Sequence, residues 1–110
     1  MNSENPLEQI GFRMQLNAGQ AHEYRRRHDE IWPVLVSLLE EAGISDYSIY
    51  LHEDTNSLFA VLRRPADHTM DQLPLEPLMQ EWWKYMSDIM VTGENNEPVV
   101  EPLERMFYLA

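Results

Sequence analysis

Cysteine is absent from the 110-residue sequence, and there are only four glycines. Without cysteine the chain has no disulfide, no thiol nucleophile and no cysteine-ligated zinc. It has neither a glycine-rich phosphate loop nor a Gly-x-Ser-x-Gly nucleophile elbow. These absences argue against dinucleotide cofactors and against a serine-based triad.

Long hydrophobic runs are missing too. No apolar stretch approaches the roughly 20 residues that a membrane helix requires. Residues 1–9 contain neither the basic cluster nor the apolar run of a signal peptide. We therefore expect a cytoplasmic protein with no membrane contact. Residues 1–9 are expected to be a flexible N-terminal extension, and residues 10–110 a single domain.

Basic residues are few, with Lys+Arg 8 against Asp+Glu 19, and the formal net charge is −11. Such a surface repels phosphate backbones, so no nucleic-acid partner is expected. The run Arg25–Arg27 would spread around a helix, and we interpret it as a solvated helix face. The acidic field favours a neutral or cationic small ligand.

The first half of the chain predicts a strand, a broken helix and a hairpin. Residues 10–16 alternate apolar and polar side chains, which is typical of a strand. Apolar residues then recur at three and four residues, predicting a helix that breaks near Pro33 and ends at Gly43. Residues 46–52 and 58–62 are predicted strands that pair as a hairpin.

The second half predicts another helix and a last strand. A helical region that opens at Pro65 is interrupted at Pro74 and Pro77. Beyond these prolines an apolar stripe is typical of an amphipathic helix; it consists of Leu75, Leu78, Met79, Trp82, Met86, Ile89 and Met90. A final strand is expected over residues 103–109.

The resulting order, βαββαβ, predicts an α+β fold of the ferredoxin-like type, with an antiparallel sheet and two helices on one face. The other face of the sheet also carries apolar residues, and the chain has no third layer to cover them. Exposed apolar faces usually bind a partner. We therefore expect a homodimer joined sheet to sheet, a dimeric α+β barrel.

Tyr24 and His28 are the first candidates for a functional site. Spaced four residues apart, they meet on one helical face, and that face is the apolar stripe. Spacing alone leaves two interpretations open. His28 is either a buried residue satisfied by its neighbours or a general acid or base whose pKa lies near neutrality.

Trp82 and Trp83 lie about 100° apart around a helix, so they cannot share one stripe. Trp82 is expected in the core. Trp83 either packs against a partner or the chain tail, or forms a platform on which a sugar ring stacks. The four histidines have no spacing typical of metal ligands, so no metal site is expected.

Several motifs together resemble L-rhamnose mutarotases over the region from Phe12 to the C-terminus. They are Tyr24-Arg-Arg-Arg-His28, Ile31-Trp32-Pro33, Tyr47-x-Ile49-Tyr50-Leu51, Trp82-Trp83-Lys84-Tyr85-Met86-x-Asp88-x-Met90 and Phe107-Tyr108-Leu109. The Trp82–Met90 run is the most specific of them. The sequence departs from the family's pattern in residues 1–9 and in the proline-rich region 69–77.

The resemblance implies a ferredoxin-like dimer that interconverts the α and β anomers of L-rhamnose without a cofactor. By matching position, His28 is the proton donor, and Tyr24, Tyr47, Trp82 and Trp83 line the sugar site. The base is left open between a tyrosine, a water molecule and Asp88. An uncharged 6-deoxy sugar suits both an aromatic pocket and an acidic surface.

Three alternatives remain open from the sequence. A related sugar such as L-fucose is possible because single hydroxyl stereochemistry is not readable from sequence. Fold analogy alone admits a cofactor-free monooxygenase or a haem-degrading enzyme. A non-catalytic dimeric ligand-binding module would use the same tyrosine, histidine and tryptophan residues as core and interface.

Overall fold

The computed structural model describes residues 6–110. Its strands are β1 (Leu7–Gln15), β2 (Ser45–His52), β3 (Ser57–Pro65) and β4 (Glu101–Leu103). Its α-helices are α1 (Ala21–Asp29), α2 (Pro33–Glu41) and α3 (Pro77–Met86), and a 3₁₀ helix spans Met70–Leu75. Among the residues described, no helix is both long enough and apolar enough to cross a bilayer.

The strands form one sheet in the order β2-β3-β1-β4, and every neighbouring pair is antiparallel. β1 and β3 pair along their whole length, from Leu7 opposite Pro65 to Gln15 opposite Ser57. β2 and β3 form the predicted hairpin. The predicted α+β class with an antiparallel sheet is therefore confirmed.

One face of the sheet carries the core. Cross-strand partners point to the same side of a sheet, so Met14 on β1 and its partner Leu58 on β3 lie together. Both are buried, and buried side chains of all three α-helices belong to the same cluster. Those helical members are Tyr24, Leu35, Met79, Trp82 and Met86.

The break in the first helical region falls where proline predicts it. Trp32 has extended dihedral angles (φ −64°, ψ 126°) and precedes Pro33, the first residue of α2. A residue before proline is pushed out of the helical region by the ring, so α1 and α2 are separate helices. Gly43 follows α2 with φ +99°, which confirms its predicted role in ending the helix.

The second helical region differs from the prediction at its start. Pro65 is the last residue of β3, and α3 begins only at Pro77. Pro74 lies inside the 3₁₀ helix, and Leu75 is 71% exposed. Placing Leu75 in the apolar stripe was therefore wrong. Pro77 is tolerated because the first helical residue has no intrahelical partner for its amide.

The predicted final strand over residues 103–109 was also wrong. β4 covers only Glu101–Leu103, and residues 104–110 form no regular element. The side chains of Met106, Phe107 and Leu109 are each at least 79% exposed. Alternating residues favour an extended backbone, but a strand also requires a neighbouring chain with which to pair.

The predicted N-terminal extension lies mostly outside the described part of the chain, which begins at residue 6. β1 starts at Leu7, three residues before the predicted strand. The boundary between the extension and the domain stays a prediction.

Candidate active site

A cavity of about 870 Å³ lies between α1, α3 and the core-bearing face of the sheet. All five predicted site residues line it: Tyr24 and His28 from α1, Tyr47 from β2, and Trp82 and Trp83 from α3. The apolar part of the wall includes Met14, Leu16, Ile49, Leu58, Met79, Met86 and Met90. Residues far apart in sequence thus meet in one mostly apolar pocket.

The helical spacing of Tyr24 and His28 brings their rings into contact. The ring centroids are 4.3 Å apart and the planes are inclined by 26°, a stacked arrangement. Tyr24 is buried, whereas His28 is half-buried. The stack fixes the plane of the imidazole, so its free edge has a defined direction.

A backbone hydrogen bond sets the tautomer of His28. Its Nδ1 lies 3.1 Å from the carbonyl oxygen of Tyr24. A carbonyl oxygen only accepts hydrogen bonds, so Nδ1 carries the proton and donates it. In the neutral ring, Nε2 is then unprotonated and free to accept a proton.

The surroundings of His28 favour the neutral ring. Burial lowers the pKa of His28 below its usual 6.5, while the hydrogen bond to Tyr24 and the charge of Asp29 oppose this shift. Burial disfavours the imidazolium ion because that ion loses water. At neutral pH the resting imidazole is therefore a base at Nε2.

Trp82 belongs to both the core and the cavity wall. It is 6% exposed, and its ring makes edge-on contacts with His28 (5.5 Å, 86°) and with Trp32 (5.0 Å, 84°). Trp83 is half-buried and lines the cavity from the adjacent position on α3. The predicted place of Trp82 in the core is confirmed, whereas Trp83 is only partly buried and packs against the edge of that core.

The two tyrosines remain protonated at neutral pH. Burial of its hydroxyl raises the pKa of Tyr47 to about 12, although the residue as a whole is 39% exposed. Burial also raises the pKa of Tyr24, and the nearby Tyr47 adds to the effect. Both side chains are therefore neutral hydroxyl groups that donate and accept hydrogen bonds.

Asp88, one of the three candidate bases, is engaged outside the cavity. Its Oδ1 and Oδ2 atoms accept hydrogen bonds from Nη1 and Nη2 of Arg27, at 2.8 and 3.2 Å. The Arg27 guanidinium lowers the pKa of Asp88. A carboxylate held this way is a weak base that does not face the pocket, which argues against Asp88 as the base.

Arg27 and Trp32 were not among the predicted site residues. The interpretation of Arg25–Arg27 as a solvated helix face was wrong for Arg27, whose side chain is only 10% exposed. Its partner Asp88 is 61 residues away along the chain, and no local pattern indicates that pairing. Trp32 was visible as an apolar residue before a proline, but not as the neighbour of Trp82.

Metal ligands do not converge in the part of the chain that the structure describes. Residues 6–110 contain no group of three or more His, Asp or Glu residues arranged to hold an ion. The arrangement is instead a mostly apolar, aromatic-walled pocket that holds the His28 imidazole and the neutral phenols of Tyr24 and Tyr47. The lining also includes His22, Arg25, Asp29, Tyr50 and Glu53. Such a set can bind an uncharged polar ring and move protons on it.

Comparisons with known proteins point in one direction. A family model described as L-rhamnose mutarotase matches residues 9–109. The L-rhamnose mutarotase of Sinorhizobium fredii is 60% identical over 104 residues, covering 94% of this chain and 100% of that relative. The L-rhamnose mutarotase of Burkholderia ambifaria is 59% identical over 103 residues, covering 94% and 99%.

A solved structure agrees with this family match. The crystal structure of the L-rhamnose mutarotase from Formosa agariphila superposes with a TM-score of 0.87 at 42% sequence identity. The match covers 94% of this chain and 99% of that one. The similarity therefore extends over almost the whole fold.

Proposed function

The chain belongs to the L-rhamnose mutarotase family, and from this we infer that it is an isomerase that interconverts the α and β anomers of L-rhamnose. The family model spans residues 9–109, and the two relatives described above are 59–60% identical. One structural observation carries the assignment of the site. The five residues that the family motifs single out converge on one cavity.

We propose that the sugar is held between the indoles and the tyrosines. Trp82 and Trp83 offer flat apolar surfaces for the 6-methyl side and the C–H groups of the ring, and an indole N–H for a hydroxyl. Tyr24 and Tyr47 supply neutral hydroxyl groups for hydrogen bonds to the sugar. An uncharged ligand also avoids repulsion by a protein of net charge −11.

His28 moves the protons in this proposal. In ring opening, Nε2 takes the proton of the anomeric hydroxyl while the bond between C1 and the ring oxygen breaks. The ring oxygen receives a proton from a tyrosine hydroxyl or a water molecule, and C1 becomes an aldehyde. After rotation about C1–C2 the steps reverse on the other carbonyl face. His28 then returns its proton to the carbonyl oxygen, so it acts as the proton donor of reclosure.

Catalysis of this reaction requires little more than correctly placed acid and base groups. Sugars mutarotate unaided, and general acid–base catalysis typically contributes on the order of 10²–10⁴-fold. A single imidazole can accept the proton in ring opening and return it in reclosure, so one residue serves both directions of transfer. A covalent intermediate is not needed, because the ring oxygen remains attached to the sugar as a hydroxyl group.

Exchange between the two anomeric proton signals of L-rhamnose, measured by NMR saturation transfer, tests the proposal. Wild-type protein is expected to accelerate the exchange. His28→Ala should reduce the acceleration by about 10²-fold or more, since the proton-transfer term is lost. Far-UV circular dichroism checks that the variant is folded. Unchanged exchange with folded wild-type protein contradicts the function.

The same assay addresses the remaining alternatives. L-fucose run beside L-rhamnose shows whether one sugar is preferred. The family match does not favour the other hypotheses. A monooxygenase or a haem-degrading enzyme was suggested by fold analogy alone, and a non-catalytic module by the residue types alone. A cytoplasmic location stays a prediction from the sequence.

We further propose the ferredoxin-like topology and a homodimer joined through the open sheet face. The strand order β2-β3-β1-β4 supports the topology. Leu103, which is 45% exposed, packs over Gly11 on the side of the sheet opposite the core. Phe59 and Val61 point to that same side, because they alternate with the buried Leu58, Ala60 and Leu62. An uncovered apolar sheet face supports a second copy as its partner.

A further inference from the structure

We propose that Arg27 is a positioning residue for the mutarotase reaction. It ties α1, which carries Tyr24 and His28, to the C-terminal end of α3, which carries Trp82 and Trp83. Arg27 does not line the cavity, so it acts through the residues it holds in place. The inference rests on the proposed function, because it concerns the geometry of that same site.

The guanidinium group of Arg27 bridges three groups at once. Its Nη1 donates to the carbonyl oxygen of Tyr85 at 2.6 Å and to Asp88 Oδ1 at 2.8 Å, while Nη2 donates to Asp88 Oδ2 at 3.2 Å. Its Nε donates to Glu23 Oε2 on its own helix at 2.7 Å. The same group lies 4.6 Å from the centre of the Tyr85 ring. Four of the five N–H donors of the planar guanidinium group are therefore used.

Tyr85 lies at the C-terminal end of α3, where a positively charged side chain is stabilising. α3 ends at Met86, so the carbonyl oxygen of Tyr85 lies in the last turn, where backbone acceptors lack intrahelical partners. The end of a helix also carries partial negative charge, which a guanidinium complements. Arg27 therefore satisfies an acceptor that α3 leaves open, and does so from another helix.

Few buried contacts other than the Arg27 interactions hold helix α1 against the rest of the fold. Of its nine residues only Tyr24 is buried. Tyr24 belongs to the core cluster, but it and His28 also line the cavity. Apolar packing therefore holds this helix less firmly than α3, which buries Met79, Trp82 and Met86. A tie outside the cavity can fix the helix without occupying space that a sugar needs.

A continuous set of contacts connects the tie to the imidazole. Tyr85 lies 5.7 Å from Trp82, measured between ring centroids, and Trp82 lies 5.5 Å from His28. Tyr85 also stacks on Trp32 at 5.7 Å. Without the hydrogen bonds of Arg27, α1 can move away from Tyr85 and Trp82 on α3. The position of His28 Nε2 relative to the sugar then changes.

The neighbouring Arg26 provides a matched control. Its hydrogen bonds go mainly to Glu23 of its own helix and to Glu30 just after that helix, and its side chain is 43% exposed. It also interacts with the side chain of Tyr85. Arg26→Gln and Arg27→Gln remove the same charge from adjacent positions of one helix. Only the second removes the hydrogen bonds to the Tyr85 carbonyl oxygen and to Asp88, because Arg26 meets α3 only through the side chain of Tyr85.

The experiment compares wild type, Arg26→Gln, Arg27→Gln, Arg27→Lys and Asp88→Asn by NMR anomer exchange over a range of L-rhamnose concentrations. Because a displacement near 1 Å costs up to about 10²-fold, Arg27→Gln should lower kcat by about 10–100-fold. Arg26→Gln should behave as wild type. Arg27→Lys should recover only part of the loss, since an ammonium cannot bind a carboxylate with a planar fork. If Arg27→Gln does not fold, Asp88→Asn tests the same tie from the other side.

Hydrogen exchange of the α1 backbone amides provides a readout that does not depend on activity. Arg27→Gln is expected to raise exchange in residues 21–29 relative to Arg26→Gln, while β1 and β3 stay protected. Wild-type kcat in folded Arg27→Gln, or an equal loss in Arg26→Gln, overturns the inference. If the wild type does not act on L-rhamnose, the proposed function fails. Selective loosening of α1 in Arg27→Gln would then still support the tie, and equal protection in both variants would overturn it.

Discussion

At the scale of single residues, the environment of His28 favours a base rather than an acid as its resting form in the proposed mechanism. Its Nδ1 proton is committed to the Tyr24 carbonyl oxygen, and burial lowers its pKa. The group available to substrate is therefore Nε2 without a proton. Tyr24 and Tyr47 are held protonated by burial, so neither competes with His28 as a resting base.

Activity should be lost as the pH falls. In the proposed mechanism neutral His28 is the active form, and burial lowers its pKa below the usual 6.5. We therefore expect kcat/KM to be constant above pH 6.5 and to decrease as pH falls through the lowered pKa. The measurement is anomer exchange between pH 4.5 and 8, after subtraction of the uncatalysed rate at each pH. A rate that rises on acidification would assign the imidazolium as the resting form.

Protein stability should follow the same direction. Well above pH 6.5 His28 is neutral in both the folded and the unfolded chain, so it does not reduce stability there. Below pH 6.5 the unfolded chain binds the proton first, and stability decreases until the folded pKa is reached. Urea unfolding of wild type and His28→Gln across this window isolates the contribution. Parallel curves for the two proteins would contradict the lowered pKa.

Substitution of Trp82 should mainly reduce stability, whereas substitution of Trp83 should mainly weaken sugar binding. Trp82 is 6% exposed, so Trp82→Ala should lower the free energy of unfolding by about 3–5 kcal/mol, the usual cost of emptying a buried aromatic site. Trp83 is half-buried, so Trp83→Ala should mainly raise KM for L-rhamnose. Urea titration and concentration-dependent exchange measure the two effects. An unchanged KM in Trp83→Ala would remove Trp83 from the sugar site.

At the scale of secondary-structure elements, Gly43 shows how one residue ends a helix and fixes the next connection. It has φ +99°, and a Cβ there would lie 3.1 Å from Pro65 Cδ and 3.2 Å from His68 Cβ. Gly43→Ala should therefore destabilise the protein by about 1–2 kcal/mol through backbone strain, and further through crowding. Chemical denaturation measures the change.

Gly19→Ala separates strain from crowding. Gly19 also has a left-handed backbone, with φ +80°, but a Cβ there meets no atom within 4 Å. Gly19→Ala should cost only the backbone strain, about 1–2 kcal/mol, because the added methyl group has open space. An equal decrease in the free energy of unfolding for both variants would mean that Pro65 and His68 move aside from the added methyl group without an energetic penalty.

The ends of secondary-structure elements could be predicted from the sequence where a single residue restricts the backbone. The gap between α1 and α2 follows from Pro33, and the end of α2 follows from Gly43, because each restricts its own backbone. The extent of the last strand was not predictable, since β4 pairs only opposite Gly11–Arg13 of β1. Pairing depends on which segment lies alongside, and residue alternation carries no information about that.

At the scale of the whole molecule, the site joins three elements that meet only in the folded chain. Helical phase showed that Trp83 lies beside the core stripe and that Tyr24 and His28 share a face. The resemblance then assigned them to one sugar site. What neither could supply is the contact between Arg27 and Asp88, because an ion pair across 61 residues depends on the packing of α1 against α3.

A charge placed on the open sheet face should disrupt the proposed dimer. Leu103 packs over Gly11 on that face and is 45% exposed, so Leu103→Asp should leave the monomer folded. Placing a charge in the proposed interface should weaken dimerisation strongly, since an unpaired buried charge is costly. Leu75 is 71% exposed on the helical side, which makes Leu75→Asp the matched control. Analytical ultracentrifugation should show a dimer for wild type and Leu75→Asp, and a monomer for Leu103→Asp. A wild-type monomer, or a dimer that tolerates Leu103→Asp, would move the interface elsewhere or remove it.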